Sequence, residues 1–160
     1  YFDHIDVLIN NAGYLHAVSF EETESSEAGQ MASTNFLAPA ELIRKTIPLL
    51  GKAGPSHIVN ISSMGGIQGS VKFRGLAFYS ATKSALATLT ECLAEEYKDQ
   101  RIFFNCLAFG AVQTEMLSEA FPGYCAPITS AEAARFVVDF ALTGYRYFNG
   151  KILPVSVTTP

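Results

Sequence analysis

Short apolar runs alternate along this chain with longer stretches of helical periodicity. Residues 5–10 (IDVLIN), 57–62 (HIVNIS) and 102–108 (IFFNCLA) are dense in Ile, Val, Leu and Phe. Near-continuous hydrophobicity of this kind predicts strands buried on both faces. Residues 151–157 (KILPVSV) make a last strand. Its Pro154 has no N–H to give to a ladder, so an edge position is expected. After an acidic, Ser-containing stretch at 21–27, helical spacing runs over 31–50, with Pro39 and Pro48 bending or ending it. Residues 78–97 (FYSATKSALATLTECLAEEY) read as an amphipathic helix, with Leu86, Leu89 and Leu93 along one stripe. Thr129 and Glu132 form a capping box for a helix reaching to about Leu142, and Gly144 fits just beyond its end. Residues 51–55 make a loop, Asn11-Ala12-Gly13 a turn, and Gly65, Gly66 and Gly69 a flexible loop.

Strands that alternate with helices predict an α/β fold, a parallel sheet covered on both faces. Ligands of such sheets bind outside the carboxyl ends of the strands. Here those ends are 10–13, 62–66 and 108–114, three distant segments brought to one rim.

Composition narrows the picture. The 160 residues, 49% hydrophobic, are enough for one domain, 1–160, with a sizeable core. A net charge of −4 argues against nucleic acid as a partner, because phosphate binding needs clustered Lys and Arg. No apolar run is long enough to span a bilayer and the first residues do not read as a signal peptide, so no membrane association is expected. Cys92, Cys106 and Cys125 are odd in number and widely spaced, which reads as reduced thiols in a cytoplasmic protein. His4, His16 and His57 lack metal-ligand spacing and read as surface or loop residues, with no metal expected.

The rim carries candidate chemistry. Ser63 ends one strand. Tyr79 opens the following helix, with Lys83 one turn along on the same face. This is either a solvated surface pair or a phenol whose pKa a nearby cation lowers from about 10, so that it can exchange a proton with a carbonyl or alcohol oxygen. Ser63 would hold that oxygen. A second Tyr-x-x-x-Lys, Tyr147 and Lys151, is interrupted by the turn signal Asn149-Gly150 and does not follow a strand ending in serines.

Asn10-Asn11-Ala12-Gly13, Ile61-Ser62-Ser63, Tyr79-Ser80-Ala81-Thr82-Lys83 and Asn105-Cys106-Leu107-Ala108 stand in an order and at separations that resemble the short-chain dehydrogenase/reductase family. The resemblance implies a Rossmann-like, doubly wound parallel sheet with helices on both faces. It implies hydride exchange between NAD or NADP and a small carbonyl compound or secondary alcohol. Tyr79 would be the acid/base, Ser63 would orient the substrate, and Lys83 would lower the Tyr79 pKa and bind the nicotinamide ribose. Asn35 would hold a proton-relay water. Asn11, Ala12 and Gly13 would line the adenosine side of the cofactor, and Gly110, Val112 and Thr114 the nicotinamide end. The helix over 79–97 resembles one that packs between subunits, so a homodimer or homotetramer is expected. The main alternative is a non-catalytic relative using the same scaffold; the epimerase and dehydratase branch, which also uses a Tyr and Lys pair, is a further one.

The chain departs from the family pattern at several points. Phe109-Gly110 stands where Pro-Gly is usual, extra residues fall near 72–75, and 156–160 replace a glycine pair. The sequence opens at what resembles the family's fourth strand, and no Gly-rich turn in it fits the pyrophosphate cradle; Gly65-Gly66-Ile67-Gln68-Gly69 lies elsewhere. The expectation is therefore the C-terminal part of a longer dinucleotide-binding domain. Tyr14, Gly66, Ile67, Phe73, Phe109, Met116, Leu117 and Phe121 are expected around a mainly apolar pocket, and 115–127 resembles the family's substrate loop.

Overall fold

A computed structural model describes residues 2–157. Thr158, Thr159 and Pro160, the end of the segment standing for the family's glycine pair, lie outside the described residues. Four parallel strands form the main sheet: β1 (Val7–Asn10), β2 (Ser56–Ser63), β3 (Ile102–Phe109) and β6 (Lys151–Val155), in the order β1-β2-β3-β6. Pro154 lies in β6 opposite Ala108, on the expected edge strand. Two short parallel strands, β4 (Val112–Gln113) and β5 (Ile128–Thr129), pair apart from it.

Strand side chains alternate between two cores, as the pleat requires. On one face Leu8, Ile58, Ile102 and Phe104 pack with Ile43 of α2 (Ala38–Thr46) and Leu93 and Ala94 of α3 (Ala77–Glu96). On the other, Val7, Ile9, Val59 and Leu107 pack with Val137, Phe140 and Ala141 of α5 (Ser130–Thr143). Helix, sheet and helix thus make three layers, the architecture expected of near-continuous apolar strands.

The first helical region differs from the sequence expectation. It starts earlier, at α1 (Ser25–Ala32), where Glu24 and Glu27 cap each other's backbone. It then runs through a π turn (Ser33–Leu37) into α2. Pro39 does not break it. The wider turn, in which Ala38 N donates to Ser33 O, absorbs the proline's missing N–H and its ring. Pro48 falls in the closing 3-10 turn (Ile47–Leu49).

Three more local expectations change. Of the glycines after β2, Gly65 and Gly66 sit in a 3-10 turn, Met64–Gly66, pressed against α3, while Gly69 lies beyond it at φ +82. A Cβ on Gly66 would lie 2.8 Å from Ser84 N and 2.9 Å from Lys83 C. Gly144 follows α5, but with φ −62 it needs no left-handed freedom; a Cβ there would meet the Phe140 ring at 2.7 Å. His57 is no surface residue. It is 1% exposed on β2, beside the rings of Phe140 and Tyr145. Its Nδ1 faces Ala141 O at 2.9 Å and its Nε2 faces Asn105 Nδ2 at 3.0 Å. Carbonyl and amide partners fix the tautomer: Nδ1–H donates and Nε2 accepts. Asn105 also donates to Phe148 O and accepts from Lys151 N.

Candidate active site

The carboxyl ends of β1 and β2 and the first turns of α3 meet at one rim. Ser63, the last residue of β2, accepts from Gly65 N at 3.2 Å, and its hydroxyl is close enough to the Tyr79 phenol to favour the ionised form. Tyr79 lies in the first turn of α3. Lys83, one turn on, is 3% exposed. Its Nζ stands 5.9 Å from the Tyr79 ring centroid and donates to Ile61 O at 2.9 Å. Asn35, fully buried in the π turn, clamps two segments. Its Oδ1 accepts from Tyr14 N at 2.8 Å, and its Nδ2 donates to Tyr14 O at 2.8 Å and to Thr82 Oγ1 at 3.1 Å. The loop after β1 and the second turn of α3 are therefore held by one amide.

Charge is tuned differently from the expectation that Lys83 lowers the Tyr79 pKa. Burial raises the Tyr79 phenol above its ordinary range, and the Ser63 hydrogen bond recovers part of that. Burial also lowers Lys83 to about 8, with the nearby Cys106 sulfur opposing the shift. Desolvation is the largest influence on the phenol.

Some positioning groups carried a sequence signal without a role attached to it. Asn10 Nδ2 donates to Asn60 Oδ1 at 2.7 Å, and Asn60 Nδ2 donates to Thr90 Oγ1 at 2.9 Å, linking β1, β2 and α3 through the interior. Ser62 Oγ donates to Lys83 O at 2.8 Å, fixing the lysine's backbone to β2. Amides and hydroxyls inside otherwise apolar strands were the available hint, because a buried polar group needs a partner.

The residues assigned by resemblance to the cofactor fall into two groups. Gly13 adjoins the cluster: a Cβ there would lie 3.4 Å from Lys83 Nζ and 3.6 Å from Asn35 Oδ1. A bare backbone thus leaves room beside an ammonium, which suits a ribose hydroxyl near Lys83, so these residues fit a nicotinamide cofactor. Asn11 and Ala12 are exposed just past β1. Gly110, Val112 and Thr114 line the segment from β3 into α4 (Glu115–Ala120). Gly110 N donates to Val155 O at 3.0 Å, and Val112 pairs with Ile128. Thr114 Oγ1 caps α4 by accepting from Leu117 N at 3.2 Å. Met116 of α4 reaches back to Gly13, its Cε 3.8 Å from the position of a Cβ there. Phe109, expected around the pocket, extends β3 in register with Ser63, packs with the α5-side core and meets the Phe136 ring edge-on at 6.4 Å. Tyr147 and Lys151, the second Tyr-x-x-x-Lys copy, are exposed at the far end of the sheet.

A parallel three-layer sheet with Ser, Tyr and Lys gathered at its carboxyl rim is a Rossmann-like α/β protein. The short chain dehydrogenase family profile matches residues 1–124, and the chain belongs to that family. An uncharacterized oxidoreductase of Thermotoga maritima is 34% identical over 116 residues, 72% of this chain and 45% of that protein. The 3-ketodihydrosphingosine reductase of Bacteroides thetaiotaomicron is 38% identical over 92 residues, 58% of this chain and 33% of the reductase. The solved structure of ElxO with NADP bound superposes with a TM-score of 0.82 at 27% identity, covering 96% of this chain and 66% of that one. The chain thus spans less than half the length of these two curated relatives. Among the described residues no helix is long and apolar enough to cross a membrane.

Proposed function

We propose that this chain carries the catalytic residues of an NAD- or NADP-dependent oxidoreductase that interconverts a carbonyl compound and a secondary alcohol. The observation that carries the reading is the meeting of Ser63, Tyr79, Lys83 and Asn35 beside the bare backbone of Gly13. The NADP-bound relative supports the cofactor class. That cofactor, when bound, supplies or accepts the hydride, which no side chain provides. Lys83 and Gly13 would hold its ribose.

Ser63 would donate a hydrogen bond to the substrate oxygen and fix it against Tyr79. In reduction the Tyr79 O–H bond breaks as its proton passes to that oxygen, leaving a phenolate and an alcohol. A phenol raised by burial is protonated and ready to donate. The phenolate is then held by the Ser63 hydroxyl and the Lys83 ammonium until a proton returns. The Asn35 amide is engaged by Tyr14 and Thr82, so a relay water would bind the Asn35 carbonyl instead. That carbonyl has no α-helical donor, because the residue four positions on is Pro39. Oxidation runs the same steps backwards.

The test is turnover followed by the absorbance of reduced nicotinamide. Tyr79→Phe should lower kcat about 10²–10⁴-fold while the Kd for NADPH or NADH stays unchanged. Full turnover by that variant would sink the mechanism.

A further inference from the structure

The candidate catalytic groups stand on two different elements. Tyr79 and Lys83 ride on α3, while Ser63 and the Ile61 carbonyl that Lys83 Nζ meets belong to β2. Their mutual geometry therefore depends on where α3 sits along β2. The contact between helix and sheet changes character along its length. Away from the rim, Leu93 and Ala94 pack on Ile58, Ile102 and Phe104. Apolar packing of this kind is non-directional and tolerates small shifts along the strand. Nearer the rim the facing groups are polar and buried: Asn60 and Thr90 are 0% exposed, Ser62 and Lys83 3%. Two directional bonds join them. Ser62 Oγ donates to Lys83 O at 2.8 Å, and Asn60 Nδ2 donates to Thr90 Oγ1 at 2.9 Å. On α3 the two points lie two turns apart. On β2 they are alternate residues, which share a face. One such bond would leave the helix free to pivot; two fix both its height and its direction. The Thr90 hydroxyl is used in full, since it also donates to Leu86 O at 2.9 Å. Asn10 Nδ2 donates to Asn60 Oδ1 at 2.7 Å, which orients the Asn60 amide from β1.

Resting on the oxidoreductase reading, we propose that Thr90 and Asn60 are positioning residues, whose bond seats α3 on β2 so that Tyr79 meets Ser63 and Lys83 meets Ile61 O. Both are fully buried, so neither touches a substrate. The seat needs a hydroxyl that donates to one partner and accepts from another, which Ser supplies and Val does not. Without it the Asn60 N–H is left unpaired in a water-poor interior, and helix and strand shift to find it a partner.

The experiment measures kcat for acetophenone reduction, the Kd for NADPH and NADH, and the melting temperature. It compares the wild-type protein with Thr90→Val, Thr90→Ser and Ile58→Val, the last of which loosens the apolar part of the same contact. At a temperature where all are folded, Thr90→Val should lower kcat about ten- to a hundredfold, the loss that misplacement by up to about 1 Å brings. It should also weaken the cofactor that Lys83 would hold. Thr90→Ser should recover most of both. Ile58→Val should lower the melting temperature and leave kcat and Kd unchanged. If Thr90→Val does not fold, Thr90→Cys replaces it; its thiol donates and accepts weakly, so it should give a smaller loss in the same direction. If acetophenone is not turned over, the Kd values carry the comparison. Wild-type kcat and Kd in the Thr90 variants, or equal losses in Ile58→Val, would overturn the seat while leaving the enzyme reading intact. Absence of both cofactor binding and turnover in the wild-type protein would overturn both.

Discussion

Lys83 carries opposing demands. The folded state holds its pKa at about 8, against an ordinary 10.5. The unfolded chain therefore binds more protons than the folded one between those values, and stability rises with pH across that window. The size is of order 1–3 kcal/mol, since each pKa unit is worth about 1.4 kcal/mol and water penetration reduces the full shift. In the proposed mechanism carbonyl reduction depends on the ammonium to hold the phenolate, so it should decline as pH passes upward through about 8. Urea unfolding at pH 8 and pH 10, beside a kcat profile over the same range, should show the two trends running in opposite directions. Lys83→Met should flatten the stability trend. At this scale the residues themselves were legible: a Tyr and Lys one turn apart after a strand ending in serines marked the rim. The direction of the Tyr79 shift was not, because spacing reveals proximity to a cation but not how much water burial removes.

Among the elements, the contact between the turn after β2 and α3 sets the geometry. Gly66 lies against the backbone of Lys83 and Ser84, while Ser62 holds the Lys83 carbonyl from the adjacent strand position. Gly66→Ala forces the turn off the helix. It should cost about 1–3 kcal/mol, the range for overpacking, and should lower turnover as well, by moving Lys83 relative to Tyr79. Gly69→Ala is the control. Gly69 has φ +82 and open space around a Cβ, so the change should cost about 1 kcal/mol from backbone strain and leave turnover unaffected. Unfolding and turnover assays on the two variants separate close packing from backbone freedom. A glycine cluster in a sequence looks the same for either cause. Likewise, the helical period over 31–50 was visible, yet its start at Ser25 and the π turn before Pro39 depended on caps and neighbours rather than on period.

Across the molecule, His57 joins layers that are far apart in sequence. Through Ala141 O and Asn105 it connects β2 to α5, to β3, and by way of Phe148 and Lys151 to the chain entering β6. Burial lowers its pKa, opposed by the Ala141 carbonyl. The folded state therefore keeps it neutral, and below about 6.5 the unfolded chain binds the extra proton. This contribution to stability is present at neutral pH and is lost as pH falls through that region. Ring nitrogen NMR shifts at pH 6 should be those of the neutral Nδ1–H tautomer, and urea midpoints should drop from pH 7 to pH 5. A fully protonated ring at pH 6 would contradict the assignment.

Hydrophobic pattern determined the order of the four main strands and their helices, their parallel sense and the rim on which chemistry gathers, and Pro154 set the edge position of the last strand. These follow from periodicity and from the obligatory pairing of backbone groups, which are local properties. Tertiary structure decided the rest. It buried His57, packed Phe109 into the α5-side core, set glycines where another backbone or ring comes close, and brought the Phe73 ring to Phe121. Each of these depends on which distant atoms share a small, water-poor space, and a linear sequence does not carry that distance.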